Sequence, residues 1–122
     1  MRNMDNLDER DALVKKEANR LKRLFKEIPP NRKKLVEGLI IQAARLRVML
    51  DDMWIDISEG GDYELFSQSE KLDPYERERP VAKLYNSRDG SYQKIISQLA
   101  SYLPDESQEK AKKDALDGSD LI

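Results

Sequence analysis

Five carboxylates fall close together near the middle of the 122-residue chain, at Asp51, Asp52, Asp56, Glu59 and Asp62. Asp52 and Asp56 are four residues apart, so on a helix their side chains would lie one turn apart and could share a divalent cation. A metal-dependent nuclease needs such a carboxylate group together with a basic partner and a closed site. The sequence offers no such supporting site, and an exposed charged helix face accounts for the same residues. We therefore predict no metal site.

Other catalytic groups are missing from the composition. The chain contains neither cysteine nor histidine, which excludes disulfides, thiolate and imidazole metal ligands, and Ser-His-Asp or Cys-His nucleophiles. It also lacks a phosphate-binding glycine loop of the kind that serves ATP or GTP hydrolysis. The composition therefore predicts a protein that is not an enzyme and that needs no cofactor.

Basic residues are concentrated in the first half of the chain. Residues 1–50 hold 13 Lys and Arg against 7 Asp and Glu, whereas residues 51–122 hold 9 against 17. Dense cations can neutralise DNA phosphates, the main source of nonspecific DNA affinity, although the solvated face of an amphipathic helix has the same pattern. The DNA-binding hypothesis takes in Lys15, Lys16, Arg20, Lys22, Arg23, Lys26, Arg32, Lys33 and Lys34.

The basic cluster begins on an expected helix at about residues 8–28. Its apolar residues recur at steps of 4, 3, 4 and 3, which is the spacing of one amphipathic stripe. The stripe consists of Val14, Ala18, Leu21, Phe25 and Ile28. Pro29 and Pro30 are expected to end the helix because neither can donate a backbone hydrogen bond.

A second helix is expected at about residues 31–58, stopped by Gly60 and Gly61. Its apolar residues repeat at helical spacing and also spread well beyond a single stripe. A helix that is apolar over most of its circumference is buried on several sides. We therefore expect this helix to pack both against its own chain and against a neighbouring subunit.

The rest of the chain is expected to contain one more helix. Residues 58–79 are polar and turn-rich, which indicates a long functional or mobile loop. A third helix is expected at about residues 80–103, with a possible kink at Asp89-Gly90, where glycine weakens a helix by about 1 kcal/mol. Residues 105–122 have the composition of a disordered acidic tail.

Together, residues 1–104 are predicted to form a single all-α domain that oligomerises. The aromatic side chains of its second and third helices could stack on bases, but their apolar surroundings are more typical of a core or a subunit interface. The residues assigned to that core and oligomer interface are Leu39, Ala43, Leu46, Leu50, Trp54, Tyr85, Tyr92 and Leu99.

Two stretches carry a family resemblance. One is KLVEGLI at residues 34–40, directly after the Pro-Pro turn. The other is PVAKLYN at residues 80–86, followed by Tyr92, Leu99 and Leu103-Pro104. Their order resembles that of terminase small subunits and small-terminase-like proteins of tailed phages and prophages, over about residues 15–104.

The resemblance implies a DNA-packaging factor that is not itself an enzyme. Such subunits assemble into oligomers, often rings, bind viral double-stranded DNA, and recruit and regulate the large terminase subunit, which carries the ATPase and nuclease. It also implies work in the cytoplasm of a bacterial host, without a membrane partner. Two other function classes stay open: a helical adaptor or regulator that binds only protein, and a nuclease that uses the carboxylates between Asp51 and Asp62.

Overall fold

The computed structural model describes residues 4–67, 70 and 73–117. In chain order, its elements are α1 (Met4–Leu24), α2 (Lys33–Gly60), β1 (Tyr63–Phe66), β2 (Tyr75–Glu78), α3 (Pro80–Ser101) and α4 (Asp105–Leu116). Helices dominate, which confirms the all-α class in its coarse form, although the small sheet and α4 were not expected. Within these ranges no helix combines the length and the apolar character needed to cross a membrane.

α1 places its apolar stripe in the core as predicted. Ala18, Leu21, Phe25 and Ile28 are buried, and Val14 is half-buried against them. The helix ends at Leu24, earlier than the predicted residue 28, because the Pro-Pro pair that follows cannot extend the backbone ladder. The residues after Leu24 form a turn, followed by a single 3-10 turn at Pro30–Arg32 that leads into α2.

α2 is the central helix and lies antiparallel to both α1 and α3. At its C-terminal end, the Asp52 carboxylate contacts the Arg10 guanidinium near the start of α1 at 3.0 Å. At the same end, the rings of Trp54 and Tyr85, the latter near the start of α3, lie 5.7 Å apart. Much of the apolar surface of α2 is thus covered by its own chain, without a neighbouring subunit.

The sequence predicts a long loop at residues 58–79, but part of this segment forms a β-hairpin. β1 and β2 pair as an antiparallel hairpin in which Tyr63 lies opposite Glu78 and Phe66 opposite Tyr75. Gly61 has a φ of 80°, a left-handed conformation that favours glycine, and its N–H donates to the Ile57 carbonyl at the end of α2. The chain thereby turns directly from helix into strand.

The Arg79 side chain links the base of the hairpin to the C-terminal end of α2. Its guanidinium contacts the Asp56 carboxylate at 2.9 Å and donates to the Gly61 carbonyl at 2.8 Å. It lies so close to Gly60 that a side chain at that position would collide with it. The second glycine of the pair therefore sets the turn, and the first leaves room for the arginine.

α3 is continuous through Asp89-Gly90, so the chain has no break at this point. Around this point the Gln93 side-chain amide donates to the Asp89 carboxylate at 2.9 Å, one helical turn earlier. The helix buries Tyr92 and Ile96 just beyond the glycine. Their packing offsets the propensity cost of about 1 kcal/mol that glycine brings to a helix interior.

The predicted disordered tail is wrong for most of its length, because residues 105–116 form α4. Asp105 and Glu106 occupy the first turn, where carboxylates favour the positive end of the helix dipole. Ala111 and Ala115, one turn apart, are buried in the core. The predicted tail at residues 118–122 lies outside the described residues.

Candidate nucleic-acid interface

Most of the proposed DNA-binding residues lie on the surface. Eight of the nine are exposed, namely Lys15, Lys16, Lys22, Arg23, Lys26, Arg32, Lys33 and Lys34. Among the acidic residues of the same stretch, Glu27 is exposed and Glu17 is buried. The surface formed by residues 15–34 is therefore strongly positive.

Arg20 is the exception, and its assignment to DNA binding is wrong. Its side chain is buried, with 4% of the residue's surface exposed, and it pairs with the equally buried Glu17 at 2.7 Å. Its guanidinium also donates to the carbonyl oxygens of Asp114 at 3.0 Å and Ala115 at 2.9 Å. Arg20 thus satisfies the last carbonyls of α4, as basic side chains often do at helix C-termini.

Tyr92 completes this attachment of α4. Its hydroxyl donates to the Ala115 carbonyl at 3.1 Å from a fully buried position on α3. Burial raises the pKa of Tyr92 to about 12, and the nearby negative charge of Glu17 acts in the same direction. Sequence reasoning assigned Tyr92 to the core or interface and missed this polar role.

The raised pKa of Tyr92 predicts a loss of stability at alkaline pH. The pKa of tyrosine in an unfolded chain is near 10. The contribution of Tyr92 to the free energy of unfolding is therefore complete below pH 10 and is lost as the pH rises through about 12. Relative to the parent, Tyr92→Phe should be less stable by about 1 kcal/mol at pH 7, where it lacks one hydrogen bond. Between pH 10 and 12, the free energy of unfolding of the parent should fall by roughly 2–3 kcal/mol relative to that of the variant, because only the parent has Tyr92 to ionise.

Urea unfolding of both proteins between pH 7 and 12 measures this difference. Arg20 still donates to the Ala115 carbonyl in the variant, so no buried acceptor is left without a donor. All other titratable groups are the same in both proteins, so their effects cancel in the comparison. Parallel stability curves for parent and variant would contradict the burial of a protonated Tyr92.

Three of the exposed lysines line one groove. Lys22 and Lys26 approach it from the end of α1, and Lys33 approaches it from the start of α2. The walls are apolar and include Phe25 and Val36, and Glu37 also contributes a carboxylate. The α1–α2 turn thus gathers cations that the sequence distributes over two helices.

The N-terminus of α2 adds to the positive potential at this turn. Its first turn has no acidic residue and no side-chain cap. The Lys33 N–H donates to the Pro30 carbonyl of the preceding 3-10 turn, and the positive end of the helix dipole lies beside Lys33 and Lys34. Arg32 lies 4.8 Å from the centre of the Tyr102 ring, a cation–π contact that holds its side chain against α3. This end of the molecule is arranged to attract an anion.

Lys15 and Lys16 lie further along α1 and differ in their surroundings. Lys15 is seven residues before Lys22, two turns along the same helical face. Lys16 lines a depression together with Asp51 and Asp52, whose carboxylates offset its charge. Lys15 therefore extends the positive surface of the α1–α2 turn along α1, whereas Lys16 does so less because nearby carboxylates offset its charge.

The carboxylates considered for metal binding are held apart by arginines. Asp51 lies 3.4 Å from Arg47, while Asp52 and Asp56 pair with Arg10 and Arg79. Burial raises the pKa of Asp51, and the Arg47 guanidinium acts against that rise. Over residues 4–67, 70 and 73–117, no three acidic side chains gather closely enough to hold a metal ion. The arrangement is one of separate ion pairs.

The residues assigned to the core and oligomer interface fall into two groups. Half of them lie in the core, which confirms the core part of the assignment, and they have no surface to offer a second subunit at an oligomer interface: Ala43, Leu50, Tyr92 and Leu99. The remainder, from half-buried to exposed, are Leu39, Leu46, Tyr85 and Trp54. The apolar side chains left on the outside of α2 lie mainly at other positions.

Comparison with protein-family models, with curated proteins and with solved structures finds no match to this chain.

Proposed function

We propose that this protein is a DNA-binding packaging factor of the small-terminase kind, without catalytic activity of its own. In this proposal it acts as an oligomer in the cytoplasm of a bacterial host. It binds viral double-stranded DNA through the α1–α2 turn and recruits or regulates a large terminase subunit. The observation that carries the proposal is the convergence of exposed cations on the N-terminus of α2, whose first turn has no acidic residue.

That convergence is unfavourable for the free protein. Cations at a helix N-terminus oppose the dipole, at a cost of typically 0.3–1 kcal/mol each, and Lys33 and Lys34 occupy the first turn of α2. A bound phosphate would reverse the sign of this interaction, because an anion is favourable at the positive end of a helix dipole and beside the two lysines. A DNA backbone is a ligand that supplies such phosphates in series.

One subunit alone would hold DNA weakly, since a few phosphate contacts give a Kd of roughly 10⁻⁴–10⁻⁶ M at physiological salt. An oligomer that repeats the same surface raises avidity without any new contact, provided that several subunits reach the duplex together. Oligomerisation and DNA binding are thus linked in this proposal, as the resemblance to small terminases also implies.

Salt dependence tests the DNA-binding part directly. The affinity of the parent protein for a random duplex should fall steeply between 50 and 200 mM NaCl, with a log–log slope of about −0.9 for every phosphate neutralised. Fluorescence anisotropy of a labelled duplex measures this slope. Absence of binding at 50 mM NaCl would overturn the proposal.

A protein-only adaptor is the second candidate. The groove beside the α1–α2 turn has apolar walls between Lys22, Lys26 and Lys33, and an acidic amphipathic segment of another protein would match that combination. The absence of DNA binding at low salt, together with a folded protein, would favour this candidate.

A further inference from the structure

One strip of α2 remains partly uncovered by the rest of the chain. Its residues follow one another at steps of 4, 3, 4, 3 and 4, the spacing of a coiled-coil seam. We call it the α2 stripe, and it consists of Leu35, Leu39, Gln42, Leu46, Met49 and Met53. Leu35 is 47% exposed and Met49 is 37% exposed, and the other apolar members are half-buried. At 1.5 Å per residue, the stripe is about 27 Å long.

Gly38 lies at the edge of the α2 stripe, and the fold of the single chain does not require a glycine there. A side chain built at Gly38 would meet no atom within 4 Å, and its φ is not positive. Glycine inside a helix costs about 0.8–1.0 kcal/mol relative to alanine. The close approach of a second backbone is a use that glycine serves and alanine does not.

The spacing of the α2 stripe fits a second copy running in the opposite direction. Steps of 4, 3, 4, 3 and 4 read the same from either end, so an antiparallel copy places Leu35 opposite Met53 and Leu39 opposite Met49. Such a contact uses the same surface on both copies and closes as a two-fold dimer.

The charges at the two ends of the α2 stripe favour the antiparallel direction over the parallel one. Lys34 flanks the N-terminal end of the α2 stripe, and Asp52 and Asp56 flank its C-terminal end. Both carboxylates keep about half of their side-chain surface exposed despite their own arginines, at 49% and 52%. Antiparallel pairing sets Lys34 of one copy against these carboxylates of the other, whereas parallel pairing sets like charges together.

We propose that the α2 stripe pairs with the α2 stripe of a second copy of this chain as an antiparallel, two-fold symmetric dimer. The contact gives the oligomer of the proposed function a specific surface. The self-association is measured without DNA. The α1–α2 groove of Lys22, Lys26 and Lys33 does not include the exposed residues of the stripe, whereas Leu35 of the stripe borders Lys33 and Lys34.

The dimer also sets the spacing of the two basic turns. With Leu35 opposite Met53, Lys33 of each copy lies opposite residue 55 of the other. The two lysines are then about 33 Å apart along the helix axes, at 1.5 Å per residue. One turn of B-DNA is about 34–36 Å. If the proposed function holds, both turns can therefore meet the same duplex.

Sedimentation at 1–100 µM, without DNA, tests the self-association. The parent should form a species of twice the 14.2 kDa chain mass, and Leu35→Glu/Met49→Glu should be monomeric throughout. Leu84→Glu is the matched control, since Leu84 is 47% exposed on α3 and has no place in the α2–α2 contact, and it should leave the dimer intact. A monomeric parent at 100 µM, or a dimer that survives the double variant, would overturn the proposal.

Single cysteines test the direction, because the chain has none of its own. A mixture of Leu35→Cys and Met53→Cys chains should form a mixed disulfide on mild oxidation, and Leu35→Cys alone should not. Efficient cross-linking of Leu35→Cys with itself would contradict the antiparallel arrangement. DNA binding by a monomeric double variant would refute the dimer's role in DNA binding without affecting the DNA-binding site itself.

Discussion

Replacing Arg20 with Met should lower the free energy of unfolding by about 3–5 kcal/mol, the typical result of removing one partner from a buried ion pair. Glu17 would be left charged and 2% exposed in the core. The carbonyls of Asp114 and Ala115 would also lose the guanidinium. We expect α4 to detach first, since Arg20 and Tyr92 are its polar anchors.

Urea unfolding at pH 7 measures the loss, and limited proteolysis near α4 shows which element opens. The matched control is Glu17→Leu/Arg20→Met, which removes both charges. It should recover much of the stability, because replacing a buried pair with apolar residues of similar volume is often neutral. An Arg20→Met protein as stable as the parent would show that the pair contributes little to holding α4.

The three long helices were predictable because their apolar residues recur at helical spacing over many turns. The hairpin was not, since strands of four residues are too short to show an alternating pattern. α4 was not predictable either, because it has a low apolar content and buries only Ala111 and Ala115. Its stability depends on tertiary contacts with Arg20 and Tyr92, which lie far away in the sequence.

The candidate site was predictable to a similar degree. A basic residue on an amphipathic helix is usually exposed, which holds for eight of the nine. Arg20 differs because it lies beside Leu21, at the border of the apolar stripe, and three residues after Glu17, with which it pairs. That spacing was a usable signal. The convergence of Lys22, Lys26 and Lys33 on one groove was not visible in the sequence, because it depends on the sharp turn between α1 and α2.

Neutralising the groove should remove most of the DNA affinity if the proposed function holds. The variant Lys22→Gln/Lys26→Gln/Lys33→Gln removes three cations, so the log–log salt slope should become shallower by about 2.7 per subunit in contact with DNA. Counterion release contributes little at 1 M salt, so the parent and the variant should have similar affinities there. Over the tenfold change to 0.1 M salt, a slope difference of about 2.7 makes the affinity of the variant about 500-fold lower than that of the parent. All three side chains are exposed, and the fold should survive.

The control variant Lys83→Gln/Arg88→Gln/Lys94→Gln removes the same formal charge from exposed positions on α3, a helix that does not line the groove. Anisotropy titrations from 50 to 200 mM NaCl compare both variants with the parent, and circular dichroism verifies that each is folded. If cations acted only through the net charge of the protein, the two variants would lose affinity equally. A specific interface predicts that the groove variant loses its affinity and salt slope while the α3 variant keeps both, because exposed charges more than about 10 Å from a phosphate are largely screened at 0.1 M salt.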